Sequence, residues 1–383
     1  MDEIKRVLRC HKCGAILQDE NPEEKGYINS EILNNHKSEV LMCNECFNKL
    51  IFKPGPVLDD IDEEFYSIID DARATDSLIV LVLDLFSFEG FASERFKNSI
   101  DSSNVIVVGN KRDLLPKEID DEILKEHIRH RLRKTCNLNV QEVILTSSIE
   151  NYNIDVLLER IDILRKRHDV YILGFPNSGK TSLVNCLLKH YRNKTTRLIS
   201  TIEYPGTKIR VFEVPLDRTS NLYDIPGMGS HNSILDVVEP SVVNQLLFQK
   251  PVTIKSTSLT QKSGIAFGGL ARIDLLKGSK TNVKIFVSEK IELKTIRGRD
   301  SIDDVFYSMI KKKAIKPTSK YLSSYEVFDI YDVKIDQEGD RDIGILGLGW
   351  ISFKGNNQTF RVSVPKGVYI YTSRAKVKLN AKK

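Results

Sequence analysis

The chain has 383 residues, 41% hydrophobic and 28% charged, which excludes a disordered chain and suits two or three domains. Its longest apolar run, 78–83, is far short of the roughly 20 residues that span a bilayer, and the N-terminus (MDEIKRVLRC) carries Asp2 and Glu3 without an apolar stretch. The first feature argues against a spanning helix, the second reads as neither a signal nor a transit peptide, and the expectation is a cytoplasmic protein with no membrane partner. The net charge of +5 is unevenly spread: residues 236–383 hold 26 Lys and Arg against 15 Asp and Glu, or +11, and the remainder holds 31 against 37, or −6. A basic C-terminal part points to a polyanionic partner, or to nothing more than a solvated Lys-rich face.

In chain order, the first feature is a pair of Cys-x2-Cys knuckles, Cys10–Cys13 and Cys43–Cys46. Each directs two thiolates at one ion, and four thiolates make a closed, structural Zn²⁺ site; redox chemistry or chance pairing is the competing reading. Residues 1–55 have little apolar content, so bound metal would supply much of their stability. Lys53-Pro-Gly-Pro56 then breaks any regular element and marks a domain boundary. Cys136 and Cys186 stand alone in helix-like stretches and read as buried small apolar residues.

Residues 56–234 alternate apolar runs with helical periodicity, as a parallel α/β sheet requires. Strands are expected at 78–84, 105–108, 142–145, 170–173, 208–215 and 221–223, and helices at 62–74, 120–135, 153–168 and 180–191. Asn110-Lys111-Arg-Asp113 ends the second strand. A carboxylate at Asp113 can accept from both N1–H and N2–H₂ of guanine, a donor pair that adenine lacks. Thr146-Ser147-Ser148 follows the third strand, where a loop would clamp the base.

Gly174-Phe-Pro-Asn-Ser-Gly179-Lys180-Thr181 follows the fourth strand and opens a helix. It satisfies G-x-x-x-x-G-K-[ST], whose backbone N–H groups wrap phosphates at a helix N-terminus. The expected contacts run over Gly174, Asn177, Ser178, Gly179, Lys180, Thr181 and Ser182. Lys180 neutralises the β and γ phosphates, and the Thr181 hydroxyl ligates Mg²⁺. Asp224-Ile-Pro-Gly227 ends the last strand; Asp224 holds Mg²⁺ through water and the Gly227 amide senses the γ-phosphate. Every motif falls at a strand's C-terminal edge, where open α/β sheets bind ligands. The base-reading motifs precede the phosphate loop, the reverse of the usual order, so the fold class is a circularly permuted P-loop GTPase domain. A sheet with neighbouring ends tolerates such reordering.

From 235 to 383 short β-rich runs recur at 251–257, 264–267, 271–276, 281–287, 344–352, 358–364 and 368–372, with a helix at 301–313. This is a mostly antiparallel β domain. Lys311, Lys312, Lys313, Lys376, Lys378, Lys382 and Lys383 could contact phosphates, with nearby aromatics stacking on unpaired bases. A solvated surface or a protein contact is the other reading.

The Cys pairs, the reordered motifs and the strings Tyr204-Pro-Gly-Thr207, Asn221-Leu-Tyr-Asp-Ile-Pro-Gly227 and Phe267-Gly-Gly-Leu-Ala-Arg272-Ile-Asp274 together resemble the YqeH family of circularly permuted GTPases, over nearly the whole chain. The resemblance implies a GTPase of small-ribosomal-subunit assembly, with a zinc-binding N-terminus and a C-terminal domain that contacts rRNA or ribosomal proteins. It implies a switch at Pro205-Gly206-Thr207, with Lys208 standing where that family usually has a second Thr. Either Thr207 then takes the Mg²⁺ and γ-phosphate role, or the switch closes less firmly. Met228 follows Gly227, where Ras-like proteins carry the water-positioning Gln. The resemblance includes this replacement and a K⁺ ion beside the phosphates at the position of Asn177, which otherwise reads as a loop-turn Asn. The leading readings of function are a slow GTP-hydrolysing switch and a nucleotide-gated RNA- or protein-binding scaffold with little productive hydrolysis; a GTPase acting on tRNA or in an organellar pathway is a third, disfavoured by the N-terminal composition.

Overall fold

The computed structural model describes residues 3–7, 15–22, 24–28, 30, 33, 43, 63–88, 94–100, 104–140, 142–175, 177–191, 200–205, 209–225, 232–297 and 301–376. They form two compact units, one within 59–230 and 249–252, the other within 1–58, 231–248 and 253–383. Strand β1 (Glu3–Val7) belongs to the second unit.

The first unit runs α1 (Glu63–Ala74), β2 (Leu78–Asp84), α2 (Glu94–Ile100), β3 (Asn104–Asn110), α3 (Asp121–Cys136), β4 (Glu142–Leu145), α4 (Ile154–Leu164), β5 (Val170–Gly174), α5 (Lys180–Tyr191), β6 (Ser200–Glu203), β7 (Arg210–Pro215) and β8 (Asn221–Asp224). Its seven-stranded sheet has the order β4-β3-β2-β5-β8-β7-β6. The first five of these are mutually parallel, and β7 runs antiparallel to both β8 and β6. Strand β2 is central and buried on both faces, which is why it reads as a continuous apolar run rather than an alternating one. Leu78, Val80 and Val82 share one face with Ile106, Val108 and Ile172. That face packs on Leu157 and Ile161 of α4 and Leu183 and Leu187 of α5.

Local chemistry sets the element ends. Asp120 caps α3 by accepting from the Glu122 and Ile123 amides at 2.8 and 3.2 Å, and Asn137 closes it in the left-handed region at φ 52°, a conformation Asn tolerates. The Asn153 amide donates to the Leu145 carbonyl at 2.9 Å, joining the start of α4 to the end of β4. In the β7–β8 turn, Asp217 accepts from the Thr219 and Ser220 amides, both at 2.9 Å, and from Arg165 at 2.9 Å. Burial works against its charge, but these donors hold the carboxyl well below the usual carboxylate range.

The second unit contains α6 (Pro240–Leu246), β9 (Lys255–Leu259), β10 (Ser263–Phe267), β11 (Ala271–Lys277), β12 (Thr281–Val287), β13 (Leu293–Arg297), α7 (Ile302–Lys311), β14 (Phe328–Ile335), β15 (Gly339–Ile345), β16 (Gly349–Gly355), β17 (Gln358–Pro365) and β18 (Ile370–Arg374). Two antiparallel sheets, β1-β14-β17-β11-β10-β13 and β18-β15-β16-β12-β9, share one apolar core. Ile273, Phe360 and Val362 of one sheet meet Val283, Ile351 and Phe353 of the other, and the Phe353 and Phe360 rings lie 4.7 Å apart.

The Phe267–Asp274 string is a structural hub of this unit. Gly268, at φ 56°, turns the chain, and the Gly268 and Gly269 amides donate to Glu292 and Pro317 carbonyls at 2.8 Å. Arg272, 1% exposed, donates to Asp274 at 2.9 Å and to the Ile302 carbonyl at 3.2 Å, and also pairs with Asp303. Its guanidinium lies 5.2 Å from the Phe306 ring centre, so α7 is held by charge and by ring together. Arg361 sits opposite both Asp274 and Asp332 in the ladder and grips Asp332 with two bonds of 2.8 and 2.9 Å.

Three differences from the expected elements have physical causes. The single run expected at 344–352 is a hairpin, β15 and β16, because Gly347 and Gly349 adopt φ 79° and 140° between them. The strand expected at 251–257 begins at Lys255, beyond Pro251, which has no N–H to give a ladder. Strand β14 alternates apolar residues with Asp329, Asp332 and Lys334, a composition that hides it, and β1 pairs with it from the far end of the chain.

Candidate nucleotide-binding site

The five parallel strands of the first unit end on polar residues at one edge. Asp84 of β2 lies opposite Asn110 of β3, Thr146 follows β4, Gly174 of β5 lies opposite Val82, and Asp224 of β8 lies opposite Ile172. Parallel strands bring all of their C-terminal ends to one side, so residues scattered from 84 to 224 share a rim.

The 174–181 loop is shaped by conformation as much as by charge. Asn177 and Gly179 have φ 64° and 79°, and a Cβ on Gly179 would strike the Asn110 amide. A Cβ on Gly174 would meet Ser178 Oγ at 2.9 Å and the Val82 carbonyl at 3.2 Å. The Ser178 amide donates back to Phe175 at 3.1 Å, and the Leu183 amide starts α5 by donating to Gly179 at 3.0 Å. Ser178 is fully buried while Thr181 and Ser182 are exposed at the helix start. Lys180 forms a buried ion pair with Asp224.

This donor set fits a polyphosphate with a divalent cation. The cradle admits only glycine at two positions, the following backbone amides begin a helix, and a cation and an anion stand side by side where phosphate and metal charges need opposite partners. Lys180 and the loop amides would hold the phosphates, with Thr181 and Asp224 at Mg²⁺; that ion would neutralise charge on the phosphate oxygens.

The Asn110–Asp113 turn is tied to this loop through Asn110, which is buried. Its Nδ2 donates to the Ser178 carbonyl at 2.9 Å, and its Oδ1 accepts from Thr146 and Ser148, both at 3.2 Å. The Thr146 amide donates to the Gly109 carbonyl at 2.9 Å, and the Arg112 amide to the Thr146 carbonyl at 3.0 Å. Cys186 of α5 donates to the Ser148 carbonyl at 3.3 Å. It is half-buried rather than fully enclosed.

Several supporting residues lie outside the sequence motifs. Asp84 accepts from Lys111 at 2.8 Å, holding that side chain although Lys111 occupies the left-handed region at φ 69°. Arg112, the variable position of N-K-x-D, pairs with Asp121 at 2.6 Å and donates to the carbonyls of Leu115, Pro116 and Ile119. Asp113 is therefore carried on a locked turn. Tyr152 donates to Asp121 at 2.8 Å, and that bond raises its pKa. None of these partners has a sequence signature, because each contact is set by the turn's tertiary course.

The expected switch 205–208 is reached only at its ends. The Tyr204 amide donates to the Ile209 carbonyl at 2.9 Å, and the Tyr204 hydroxyl hydrogen-bonds that of Tyr171 at 2.9 Å. Tyr223 completes a three-ring cluster. Burial pushes the Tyr204 hydroxyl up to about 12 and raises Tyr171 as well. Thr207, Lys208, Gly227 and Met228 lie outside the described residues, as do Cys10, Cys13, Cys46, Lys378, Lys382 and Lys383. Cys43 is described and buried. No group of metal-ligating side chains occurs among the described residues, and none of their helices is long and apolar enough to cross a membrane.

An α/β sheet with a glycine-shaped phosphate loop, a lysine–aspartate pair beside it and an N-K-x-D turn hydrogen-bonded to it defines a GTP-binding P-loop protein. Residues 169–262 match the family model described as a 50S ribosome-binding GTPase. The chain is 26% identical over 367 residues to YqeH of Bacillus subtilis (strain 168), covering 96% of this chain and 98% of that one. It is also 26% identical over 404 residues to NO-associated protein 1, chloroplastic/mitochondrial, of Arabidopsis thaliana, covering 92% and 71%. GTPase grn1 of Schizosaccharomyces pombe (strain 972 / ATCC 24843) is 24% identical over 275 residues, covering 65% and 56%. The chain is thus similar to YqeH over nearly the whole length of both proteins.

Proposed function

We propose that the chain is a GTP-hydrolysing switch in the assembly of the small ribosomal subunit, built on a circularly permuted GTPase domain. The observation that carries this reading is the Asn110–Ser178 hydrogen bond, which joins the base-reading turn to the phosphate loop within one site. Asn110, Lys111, Asp113 and Thr146–Ser148 hold guanine. Gly174, Asn177, Ser178, Gly179, Lys180 and Ser182 hold the phosphates, and Thr181 and Asp224 hold Mg²⁺. Thr207 and Gly227 sense the γ-phosphate. A shift in these switches is passed to the basic C-terminal unit, which faces rRNA or ribosomal proteins.

Cys10, Cys13, Cys43 and Cys46 bind one structural Zn²⁺, and Asn177 binds K⁺ beside the phosphates. Asn177 is exposed and left-handed, so its side chain is available to an ion at the loop. Met228 cannot orient water, so intrinsic hydrolysis is slow and rises in K⁺ over Na⁺.

The ribosomal part of the reading is supported by the family model, whose description names the 50S particle, and by the resemblance of the whole chain, which implies the small subunit. Co-sedimentation with separated small and large subunits under GTP, GDP and no nucleotide tests it: GTP-dependent capture by small subunits is expected, and capture by large subunits alone would refute the choice of subunit. Lys208 and Met228 favour a second reading, a nucleotide-gated scaffold. Multiple-turnover phosphate release in K⁺, with subunits present, separates the two. No turnover under any of these conditions would leave only the scaffold.

A further inference from the structure

A cavity of about 820 Å³ opens in the second unit among β9, β12 and β16 and the turns that flank them. Its lining carries Lys280, Lys284 and Lys354 against a single acidic residue, Glu338. The β9–β12 register sets Lys284 beside Ser256 and Asn282 beside Ser258, so hydroxyls and amides stand between the cations.

The floor is built rather than incidental. Gln358, 2% exposed, donates from Nε2 to Thr281 Oγ1 and to the Lys354 carbonyl, both at 3.1 Å, and accepts the Asn356 amide at 2.6 Å. Thr281 in turn donates to the Ser279 carbonyl at 2.9 Å. Gly278, at φ 121°, is required there, since a Cβ would meet Gln358 Cγ at 2.8 Å. Ser258 donates to Asn282 Oδ1 at 2.6 Å, which turns the Asn282 amide so that its Nδ2 protons point away from Ser258. The Ser258, Thr281 and Gln358 protons are thus spent in fixing the floor, and what the wall offers an occupant is the Asn282 amide, the Ser256 hydroxyl and the charge of three lysines.

The lining also restricts the occupant. It has no aromatic side chain, so it offers no platform on which a base could stack. It has no Trp, Tyr or Arg anchor of the kind that carries protein interfaces. What remains is the chemistry that recognises phosphate: lysine charges, a hydroxyl and an amide. We propose that this cavity takes the phosphodiester backbone of single-stranded RNA, without reading its sequence. The proposal rests on the reading of the C-terminal unit as the RNA-facing part of a ribosome-assembly protein, and it names the place and manner of contact.

The test uses the full-length chain and a short labelled single-stranded RNA of mixed sequence, with binding followed by fluorescence anisotropy between about 50 and about 200 mM salt. Each phosphate contact on a single strand contributes a slope of about −0.7 to log K against log salt. A variant carrying Lys280→Gln, Lys284→Gln and Lys354→Gln should show a slope shallower by about 2, with affinity at the lowest salt down at least about 10-fold. The matching triple Lys→Arg variant should keep both, and GTP turnover should be unchanged in each. Should the triple Gln variant fold poorly, Lys354→Gln alone should shift the slope by about 0.7. If the parent chain binds RNA and the Gln variant keeps its full slope, the cavity is not the contact, while the RNA-facing reading survives through other lysines. A parent chain that binds neither the RNA nor ribosomal subunits overturns that reading itself. Lysine-dependent capture of a polyglutamate peptide in place of RNA would assign the cavity to an acidic protein segment and overturn the RNA proposal.

Discussion

The Asn110 amide and the Ser178 carbonyl are hydrogen-bonded at 2.9 Å across 68 residues of chain. Thr146 and Ser148 converge on the other end of the same amide, so one buried side chain joins three loops from three strand ends. A buried group with both donor and acceptor satisfied rigidifies its surroundings. Each loop alone would pay its own ordering entropy whenever nucleotide binds.

Asn110→Ala should therefore cost more than a contact. It strands buried polar groups on Ser178 and Thr146, a penalty of about 1–3 kcal/mol, and it frees the base loop from the phosphate loop. GTP affinity should fall at least about 10-fold, measured by titration with a fluorescent guanine nucleotide. Asn110→Asp keeps the acceptor for Thr146 and Ser148 but cannot donate to Ser178, so it should lose phosphate-loop order in particular. Wild-type binding by both variants would show that the loops are held by other means.

How far this site could be read beforehand depended on whether a residue's role is carried by its neighbours in sequence. Gly174, Gly179 and Lys180 announce themselves because backbone conformation and helix start are local matters. The strand ends at Asn110 and Asp224 follow from apolar runs that stop at a polar residue. Asp84 also ends such a run, yet its partner Lys111 lies 27 residues away, and no spacing rule links them. Arg112 occupies the position that N-K-x-D leaves variable, and its four partners exist only once the turn to Asp121 is formed. In the second unit β14 was hidden by its acidic residues, of which Asp332 pairs across the sheet with Arg361 and Asp329 accepts the Gly367 amide. The Gly347–Gly349 hairpin was hidden because its apolar flanks read as one strand.

Asp84 supplies the next prediction. Its carboxylate accepts from both Lys111 and the Phe86 amide, and the Lys111 side chain opposite is 22% exposed. Asp84→Asn retains an acceptor for Phe86 but removes the charge facing Lys111. A partly exposed pair is worth about 1 kcal/mol or less, so guanine nucleotide should dissociate up to about 5-fold faster, with turnover at saturation little changed. Stopped-flow dissociation measures this directly. An unchanged off-rate would mean that Lys111 needs no anchor.

The Lys180–Asp224 pair makes a different kind of prediction, because both charges are buried. Removing one partner from a buried pair costs about 3–5 kcal/mol, since the other is left uncompensated, whereas replacing both with apolar groups can be nearly neutral. Lys180→Met should thus destabilise the nucleotide-free chain, and adding Asp224→Leu should restore much of the loss. Neither form should bind GTP measurably. Denaturant unfolding gives the stabilities, and a double variant no more stable than Lys180→Met would refute the argument.

Asp274 lies among the charges of Arg272, Asp303 and Arg361. Burial pushes its carboxyl up to about 6, while the Arg272 charge works in the opposite direction. An unfolded Asp titrates near its ordinary value of about 3.9, so the folded chain binds this proton more tightly than the unfolded chain does. The resulting stability is fully present below about pH 4 and is lost as pH rises through about 6. Over that window the loss is about 2–3 kcal/mol. Glu239, in the same unit, is held below its usual value although burial opposes it, because Ser319 and Lys320 donate to it, and it therefore contributes with the opposite sign. Subtracting the unfolding curve of Asp274→Asn from that of the parent, from pH 4 to 7, cancels that contribution and leaves Asp274 alone. The difference should decline steadily with rising pH. A flat difference would mean that the Arg272 charge outweighs burial and keeps Asp274 ionised throughout.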